Sequence, residues 1–121
     1  MKIGIIANIT KERAYTIVSM VVNILSDNGF EYLLSDSLID KRNTLDKKIP
    51  QSLFVSNKTL CKRSDIIISI GGDGTMLATA YQAQFYNKPV LGINLGKLGF
   101  LVEADINQID KLIEEIKQGK L

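Results

Sequence analysis

The sequence contains no histidine and a single cysteine, Cys61. The absence of histidine excludes Ser-His-Asp hydrolysis and most zinc sites, and it leaves Cys61 without the base that usually activates a catalytic thiol. A single cysteine cannot form a disulfide within the chain, which fits a reducing, intracellular compartment. We therefore expect a cytoplasmic protein whose chemistry does not depend on a thiol.

Long apolar runs are also missing, since none approaches the roughly 20 residues that a membrane-spanning helix needs. We therefore expect no membrane partner. The net charge is only +2, but seven basic residues fall between residues 41 and 63: Lys41, Arg42, Lys47, Lys48, Lys58, Lys62 and Arg63. This basic cluster is compatible with attraction of phosphate or nucleic acid and with a solvated loop and helix surface. Because its one aromatic residue is Phe54, bases have no series of rings to stack on, and we expect no nucleic-acid partner.

Apolar residues recur in segments that alternate between strand and helix periodicity. Residues 2–7 form a short β-branched run, which is typical of a buried strand. Residues 14–25 carry apolar side chains at helical spacing, with Thr10 as the predicted N-cap and Gly29 at the expected C-terminal position. Residues 30–35 predict a second strand, so the chain opens with a β-α-β unit and a parallel strand pair.

The rest of the chain continues this alternation. Residues 36–64 predict a loop, an edge strand and a short helix, and further strands are predicted at 65–70 and 89–94. A helix is predicted between those strands, from about residue 76 to residue 85. After a glycine-punctuated turn at 95–100, the chain closes with an amphipathic helix whose apolar positions are Ile106, Ile109, Leu112, Ile113 and Ile116.

Length and composition fit one globular domain spanning residues 1–121. Hydrophobic residues make up 45% of the chain and charged residues 23%, close to the averages for globular proteins. A chain of this length can bury a core of its own. The alternating elements predict an α/β fold, a three-layer sandwich around a mostly parallel, Rossmann-like sheet.

Residues 71–75 (GGDGT) follow a predicted strand at the edge where parallel sheets bind ligands. Three glycines in four positions allow backbone dihedrals that other residues rarely adopt, and they let a ligand approach the backbone closely. Successive N–H groups and the positive end of the following helix then form an anion site. The hydroxyl of Thr75 is expected to cap that helix or to donate to a phosphate oxygen.

Asp73 is the acidic residue of this predicted phosphate loop. A carboxylate repels phosphate unless it has a separate task, such as holding Mg²⁺ through water or orienting and deprotonating an attacking hydroxyl. An aspartate is ordinarily a weak base for an alcohol, so positioning is expected to matter at least as much as proton removal. On these residues alone, a glycine-rich turn in which Asp73 only caps a helix is an alternative. Neither a Walker A loop nor a G-x-G-x-x-G fingerprint fits the sequence.

Residues 71–75 resemble the GGDGT signature of a kinase superfamily that includes NAD kinases, diacylglycerol and sphingosine kinases and 6-phosphofructokinases. Residues 91–101 (LGINLGKLGFL) resemble the GIN-x-G-x-LGFL element of NAD kinases, which lipid kinases lack. Together the two motifs identify the NAD kinase family as the closest resemblance. It implies transfer of a phosphoryl group from ATP or polyphosphate, with Mg²⁺, to the 2′-hydroxyl of the adenosine ribose of NAD, giving NADP.

The same resemblance implies roles for individual residues. Asp73 matches the catalytic aspartate that engages and activates the 2′-hydroxyl. The residues that match the loop at the phosphates of ATP and the dinucleotide are Gly71, Gly72, Gly74 and Thr75. Those that match the lining of the NAD site and its neighbouring turn are Leu77, Asn94, Gly96, Phe100 and Leu101. For these last five, plain packing is the alternative.

NAD kinases also have a second, β-rich domain with an Asn-Glu or Asn-Asp pair that holds the ribose. Neither pair occurs in this sequence. We therefore expect residues 1–121 to be the N-terminal domain, with the β-rich domain after residue 121, and to have little or no activity alone. The resemblance also implies that the full-length enzyme is a homo-oligomer.

Two other functions are compatible with the phosphate loop. A lipid kinase would usually act at a membrane surface, but no segment resembles an amphipathic membrane anchor. A stand-alone nucleotide-binding or regulatory module would use the same loop without catalysis. A β-rich continuation with the Asn-Glu or Asn-Asp pair would exclude the module.

Overall fold

The computed structural model describes residues 1–10, 12–45, 48–95 and 102–119. Its strands are β1 (Lys2–Ala7), β2 (Glu31–Ser35), β3 (Phe54–Val55), β4 (Ile66–Gly71) and β5 (Val90–Asn94). Its helices are α1 (Glu12–Asp27), α2 (Asn57–Arg63), α3 (Asp73–Gln84) and α4 (Val102–Lys117), with 3₁₀ segments at Asp36–Thr44 and Gln51–Leu53. The predicted alternation of strands and helices is confirmed.

The five strands form one sheet in the order β3-β2-β1-β4-β5, and all four neighbouring pairs are parallel. At the centre, Ile5 of β1 is in register with Leu34 of β2 and with Ile68 of β4. Winding proceeds outward from β1 in one direction and then from β4 in the other, as in doubly wound folds. The predicted Rossmann-like parallel sheet is therefore confirmed.

Helices cover both faces of this sheet. On one face, α1 packs against β1 and β4, and α4 packs against α1. Side chains of both helices join Ile5 and Ile68 in the larger of two buried hydrophobic clusters. On the other face, Leu60 of α2 and Ala83 of α3 pack with Ile67 in the smaller cluster. Ile67 and Ile68 belong to different clusters because successive side chains of a strand point to opposite faces. The predicted three-layer architecture follows from this alternation.

The C-terminus of α1 has the expected glycine cap. Gly29 has a φ of +76°, and the N–H of Phe30 donates to the carbonyl of Leu25 at 2.9 Å. This is a Schellman motif, which favours glycine because a side chain is strained at positive φ. Thr10 lies in a turn just before α1, and its hydroxyl donates to Asn8 Oδ1 at 2.7 Å. Residue 11 lies outside the described residues, so the assignment of Thr10 as the N-cap stays a prediction.

The segment predicted as a loop, edge strand and short helix contains those elements. β3 is the edge strand, and α2 begins after Ser56, whose hydroxyl accepts a hydrogen bond from the N–H of Thr59 at 3.2 Å. Of the basic cluster, Lys58, Lys62 and Arg63 are exposed on α2, as on a solvated helix face. Residues 46–47 and the side chains of residues 41–44 lie outside the described part of the chain.

The closing helix α4 packs its apolar side chains onto the larger cluster, with Ile109, Ile113 and Ile116 buried and Leu112 partly buried. The side chain of Ile106 lies outside the described residues. Within the described ranges, no helix combines the length and the apolar composition needed to cross a membrane.

Candidate active site

The candidate site lies where the carboxyl ends of β1 and β4 meet. α1 follows β1 onto the face of the larger cluster, whereas α3 follows β4 onto the opposite face. In an open parallel sheet, connections that diverge in this way leave a crevice between them. The N–H of Asn8, just after β1, donates to the carbonyl of Ile70 at 2.8 Å and holds the two strand ends together.

The connection between β4 and α3 is shorter than the sequence predicts, with one residue between the strand and the helix. Gly71 is the last residue of β4, and Gly72 is the N-cap of α3 with extended dihedrals, φ −104° and ψ −168°. α3 begins at Asp73, three residues before the predicted Met76, and the N–H of Met76 donates to the carbonyl of Gly72 at 3.1 Å. Asp73 therefore belongs to the first helical turn rather than to a free loop.

The glycines of this junction matter because they lack a side chain, and not because they adopt unusual dihedrals. Among the described glycines, positive φ occurs at Gly29 and Gly119, so the prediction of special dihedrals at residues 71–75 is wrong. A Cβ on Gly71 would lie 2.7 Å from Thr75 Oγ1 and 3.1 Å from Asn8 Cβ. A Cβ on Gly72 or on Gly74 would meet none of the described residues within 4 Å. Gly71 permits close packing, whereas the other two leave open space that lets a ligand approach the backbone.

Thr75 does not cap α3, because it is the third residue of the helix and Gly72 holds the N-cap position. Its side chain is partly buried beside Gly71. The N–H groups of the first turn lack intrahelical partners by geometry, so they are available to an anion at this end of the helix.

Asp73 and Asn94 bring two polar side chains together at the carboxyl edge of the sheet. Asn94 is the last residue of β5, and its Nδ2 lies 3.5 Å from Asp73 Oδ1, a long hydrogen bond. Both residues are exposed. The N–H of Leu95 donates to the carbonyl of Gly71 at 2.8 Å, so the end of β5 is fixed against the start of the phosphate-binding junction.

A cleft of about 270 Å³ opens beside Asp73, between α3 and β5. Its walls combine polar side chains, glycine backbone and two apolar side chains; they are formed by Ser69, Gly72, Asp73, Met76, Gly92, Ile93 and Asn94. The cleft thus brings the GGDGT junction next to the start of the second sequence motif. A carboxylate, an amide and free helical N–H groups at one opening can orient a hydroxyl and bind a phosphate.

Other predicted site residues occupy different positions. Gly71 and Thr75 lie next to each other at the junction and do not line the cleft. Leu77 is 72% exposed on α3, outside this cleft. Gly96, Phe100 and Leu101 lie outside the described residues, so their assignment to the dinucleotide site stays a prediction. Among the described residues, no group of three or more acidic or cysteine side chains is placed to hold a metal ion.

Four of the lining residues are missing from the sequence-based assignment, namely Ser69, Met76, Gly92 and Ile93. Ser69 carries a recognisable signal, since it is a polar residue within the otherwise apolar run of β4. Gly92 carries a weaker one, a glycine inside a predicted strand, which often marks a close approach of backbone or ligand. Met76 and Ile93 are indistinguishable from core residues in the sequence.

Comparison with known proteins agrees with this geometry. A model of the ATP-NAD kinase N-terminal domain matches residues 3–121. The chain is 35% identical to an NAD kinase of Natranaerobius thermophilus over 117 residues, which are 97% of the chain and 39% of that protein. It is 34% identical to an NAD kinase of Caldanaerobacter subterraneus subsp. tengcongensis over 119 residues, 98% of the chain and 40% of that protein.

A third relative, an NAD kinase of Chlorobium phaeobacteroides strain BS1, is 37% identical over 119 residues, which are 98% of the chain and 39% of that protein. The chain therefore spans about two fifths of the length of the relatives it matches. The family match covers both sequence motifs and all of the sheet except Lys2, the first residue of β1. The chain belongs to the NAD kinase family, in the part that corresponds to the N-terminal domain.

Proposed function

We propose that this chain is the phosphate-binding domain of an enzyme that converts NAD to NADP. The phosphoryl donor is ATP or an inorganic polyphosphate, and the acceptor is the 2′-hydroxyl of the adenosine ribose of NAD. The observation that carries the proposal is the position of Asp73 at the N-terminus of α3, beside Asn94 in an open cleft. The family match supports NAD and ATP as substrates, and the NAD kinase match favours this reading over a lipid kinase.

The chain supplies three functions to this reaction. First-turn N–H groups of α3 bind phosphate oxygens, and the open space at Gly72 and Gly74 lets those oxygens reach the backbone. Asp73 accepts a hydrogen bond from the 2′-hydroxyl and takes up its proton. The hydroxyl oxygen forms a bond to the terminal phosphorus while the bond from that phosphorus to the bridging oxygen breaks, and the shortened donor leaves.

Mg²⁺ is expected to arrive with the donor phosphates. Magnesium in phosphoryl-transfer sites is usually held by one or two carboxylates together with substrate phosphates and water. Asp73 supplies one such carboxylate at the cleft, which fits a phosphate-bound ion and not a cage made by protein alone. When bound, the ion would neutralise phosphate charge, and Asp73 would contact it through water.

The relatives are much longer than this chain, which leaves room for the expected β-rich domain. We infer that the chain alone binds phosphate groups but turns over little or no NAD.

The absence of a disulfide-forming pair of cysteines supports a cytoplasmic location. Assembly into a homo-oligomer is a further expectation, which light scattering on the complete gene product would test.

The decisive experiment measures NADP formation by the complete gene product. Wild-type protein is incubated with NAD, Mg²⁺ and either ATP or polyphosphate, and Asp73→Asn is assayed beside it. The variant is expected to fold and to bind donor normally while its turnover falls by roughly a thousandfold or more, because it can no longer accept the proton. Asp110→Asn, at an exposed position on α4, is the matched control and should keep normal turnover.

The outcome also separates the alternatives. NADP formation that survives Asp73→Asn would contradict the role of this residue. A gene product that binds ATP and NAD but forms no NADP would instead be a nucleotide-binding module. Robust turnover by residues 1–121 alone would contradict the need for a second domain.

A further inference from the structure

Ser69 carries a buried hydroxyl that lies beside the candidate cleft. The residue is 2% exposed, and within the described part of the chain Ser69 Oγ has no hydrogen-bond partner. Buried polar atoms are nearly always hydrogen-bonded, because leaving one without a partner costs free energy. A hydroxyl in the middle of an apolar strand therefore needs an explanation.

The register of the sheet places this hydroxyl at the floor of the cleft. Ile68 and Ile70 of β4 belong to the larger cluster under α1, so Ser69 between them points to the α3 side. Its neighbour on β5 is Gly92, and both residues line the cleft. A serine facing a glycine leaves a polar floor with space above it.

Met76 of α3 lies above this floor. A Cβ added to Gly92 would lie 3.0 Å from Met76 Sδ, so the thioether fills the space that Gly92 leaves. Methionine is unbranched and readily changes rotamer, so its side chain can move aside at little cost. Because Ser69 Oγ is shielded from solvent in this structure, a ligand would reach it only after such a movement.

Ser64 provides an internal comparison, because its hydroxyl is also buried and also has no hydrogen-bond partner among the described residues. A Cβ on Gly4 would lie 2.5 Å from Leu60 Cδ2 and would also collide with the Ser64 hydroxyl. Ser64 is thus a small residue required by the tight contact between β1 and α2, and it does not line the cleft. Ser69, by contrast, lines the cleft.

We propose that Ser69 is a ligand-contacting residue whose hydroxyl donates a hydrogen bond to a phosphate oxygen in the cleft once the Met76 side chain has moved aside. This inference rests on the proposed function, since it extends the phosphate site from the N-terminus of α3 to the floor between β4 and β5. The phosphate can belong to the donor, as in ATP or polyphosphate, or to the pyrophosphate of NAD. In both cases an anionic phosphate oxygen accepts a hydrogen bond from the Ser69 hydroxyl.

The test measures binding to residues 1–121 by calorimetry with three probes: ATP, inorganic tripolyphosphate and NAD. Wild type is compared with Ser69→Ala, Ser69→Cys and the matched control Ser64→Ala, and urea unfolding is measured for each. Ser69→Ala is expected to lower affinity for the phosphate probe about tenfold, since a hydrogen bond to a charged acceptor is lost. Ser69→Cys should be intermediate as a weak donor of similar size, and Ser64→Ala should bind as wild type does.

Each result decides the question. Weaker binding of ATP and tripolyphosphate assigns the contact to the donor, and weaker binding of NAD alone assigns it to the acceptor. Unchanged affinity for all probes in Ser69→Ala and in Ser69→Cys would overturn the inference while leaving the proposed function intact. An equal loss in Ser64→Ala would also overturn it, because the effect would then be structural. Failure of the wild-type chain to bind any probe would overturn both this inference and the proposed phosphate site.

Discussion

Asn94, at the end of β5, donates a long hydrogen bond of 3.5 Å from Nδ2 to Oδ1 of Asp73, at the start of α3. The two residues come from the two sequence motifs, and the parallel pairing of β4 with β5 brings them together. Asn94 lies opposite Gly71 in that pairing. The contact therefore orients the Asp73 carboxylate from a neighbouring strand rather than from its own helix.

Asn94→Asp is expected to weaken phosphate binding without unfolding the domain. The substitution places a second carboxylate beside Asp73, and the added negative charge repels a phosphate by about 1 kcal/mol at 4 Å in water, or about fivefold in affinity. Both residues are exposed, so repulsion between the two carboxylates should lower the free energy of unfolding by only about 1 kcal/mol and leave the domain folded. Titration with tripolyphosphate at low and high salt checks this, because screening should reduce the difference. An effect that persists at 1 M salt would contradict the electrostatic explanation.

Gly71→Ala is expected to destabilise the domain, whereas Gly74→Ala should not. A Cβ on Gly71 would collide with Thr75 Cβ at 2.9 Å and with Asn8, and overpacking of this kind costs about 1–3 kcal/mol. Gly74 lies in the first turn of α3, and a Cβ there would meet no atom of the described residues within 4 Å, so alanine should be neutral or stabilising by about 0.5 kcal/mol. The free energy of unfolding in urea measures both changes.

The variants Gly71→Ala and Gly74→Ala also distinguish an effect on stability from an effect on ligand binding. Gly74→Ala should still weaken binding of tripolyphosphate, because its Cβ occupies the space through which the ligand approaches the backbone. Equal stability of the two variants would show that the contact between Gly71 and Thr75 is not tight in solution.

Strands β1, β4 and β5 are readable from local sequence because each is a short run rich in isoleucine or valine, which can be recognised without its partner strand. The start of α3 is not, since Gly72 and Gly74 are typical of a loop. In the structure Gly72 is the N-cap, where glycine is tolerated, and Asp73 lies in a first turn whose N–H groups need no intrahelical acceptor. A helix that begins on glycines is therefore predicted several residues late.

The site shows a similar division. Asp73 and Asn94 can be assigned by resemblance because they stand inside motifs. The pairing of Ser69 with Gly92 depends on the register of β4 against β5, and the position of Met76 above them depends on where α3 begins. Neither relationship is contained in a local pattern, so the floor of the cleft becomes visible only in the folded chain.

Cys61 is expected to be unreactive in the folded protein. Its side chain is fully buried, and that burial raises the pKa of the thiol, while the nearby Lys88 charge lowers it by a smaller amount. Since the thiolate is the reactive form, a raised pKa and lack of access both slow modification. Ellman's reagent at pH 8 should modify Cys61 rapidly in urea and only at the rate of unfolding in buffer. Rapid labelling without urea would indicate that α2 separates from the sheet.

Lys88 is expected to stabilise the end of α2, and Lys88→Met should measure how much. Its ammonium group donates to the carbonyls of Ser64 at 2.6 Å and Lys62 at 3.2 Å, and a cation is favourable at a helix C-terminus. Methionine keeps the apolar stem but removes both bonds, so we expect a loss of about 1–2 kcal/mol of unfolding free energy. Lys58→Met, at an exposed position in the first turn of α2, is the control and should be nearly neutral.

Because the Lys88 charge also lowers the pKa of Cys61, Lys88→Met should raise that pKa further and leave the native thiol even less reactive. Equal stability of the two lysine variants would contradict the capping role, since it would mean that these carbonyls are equally well satisfied by water.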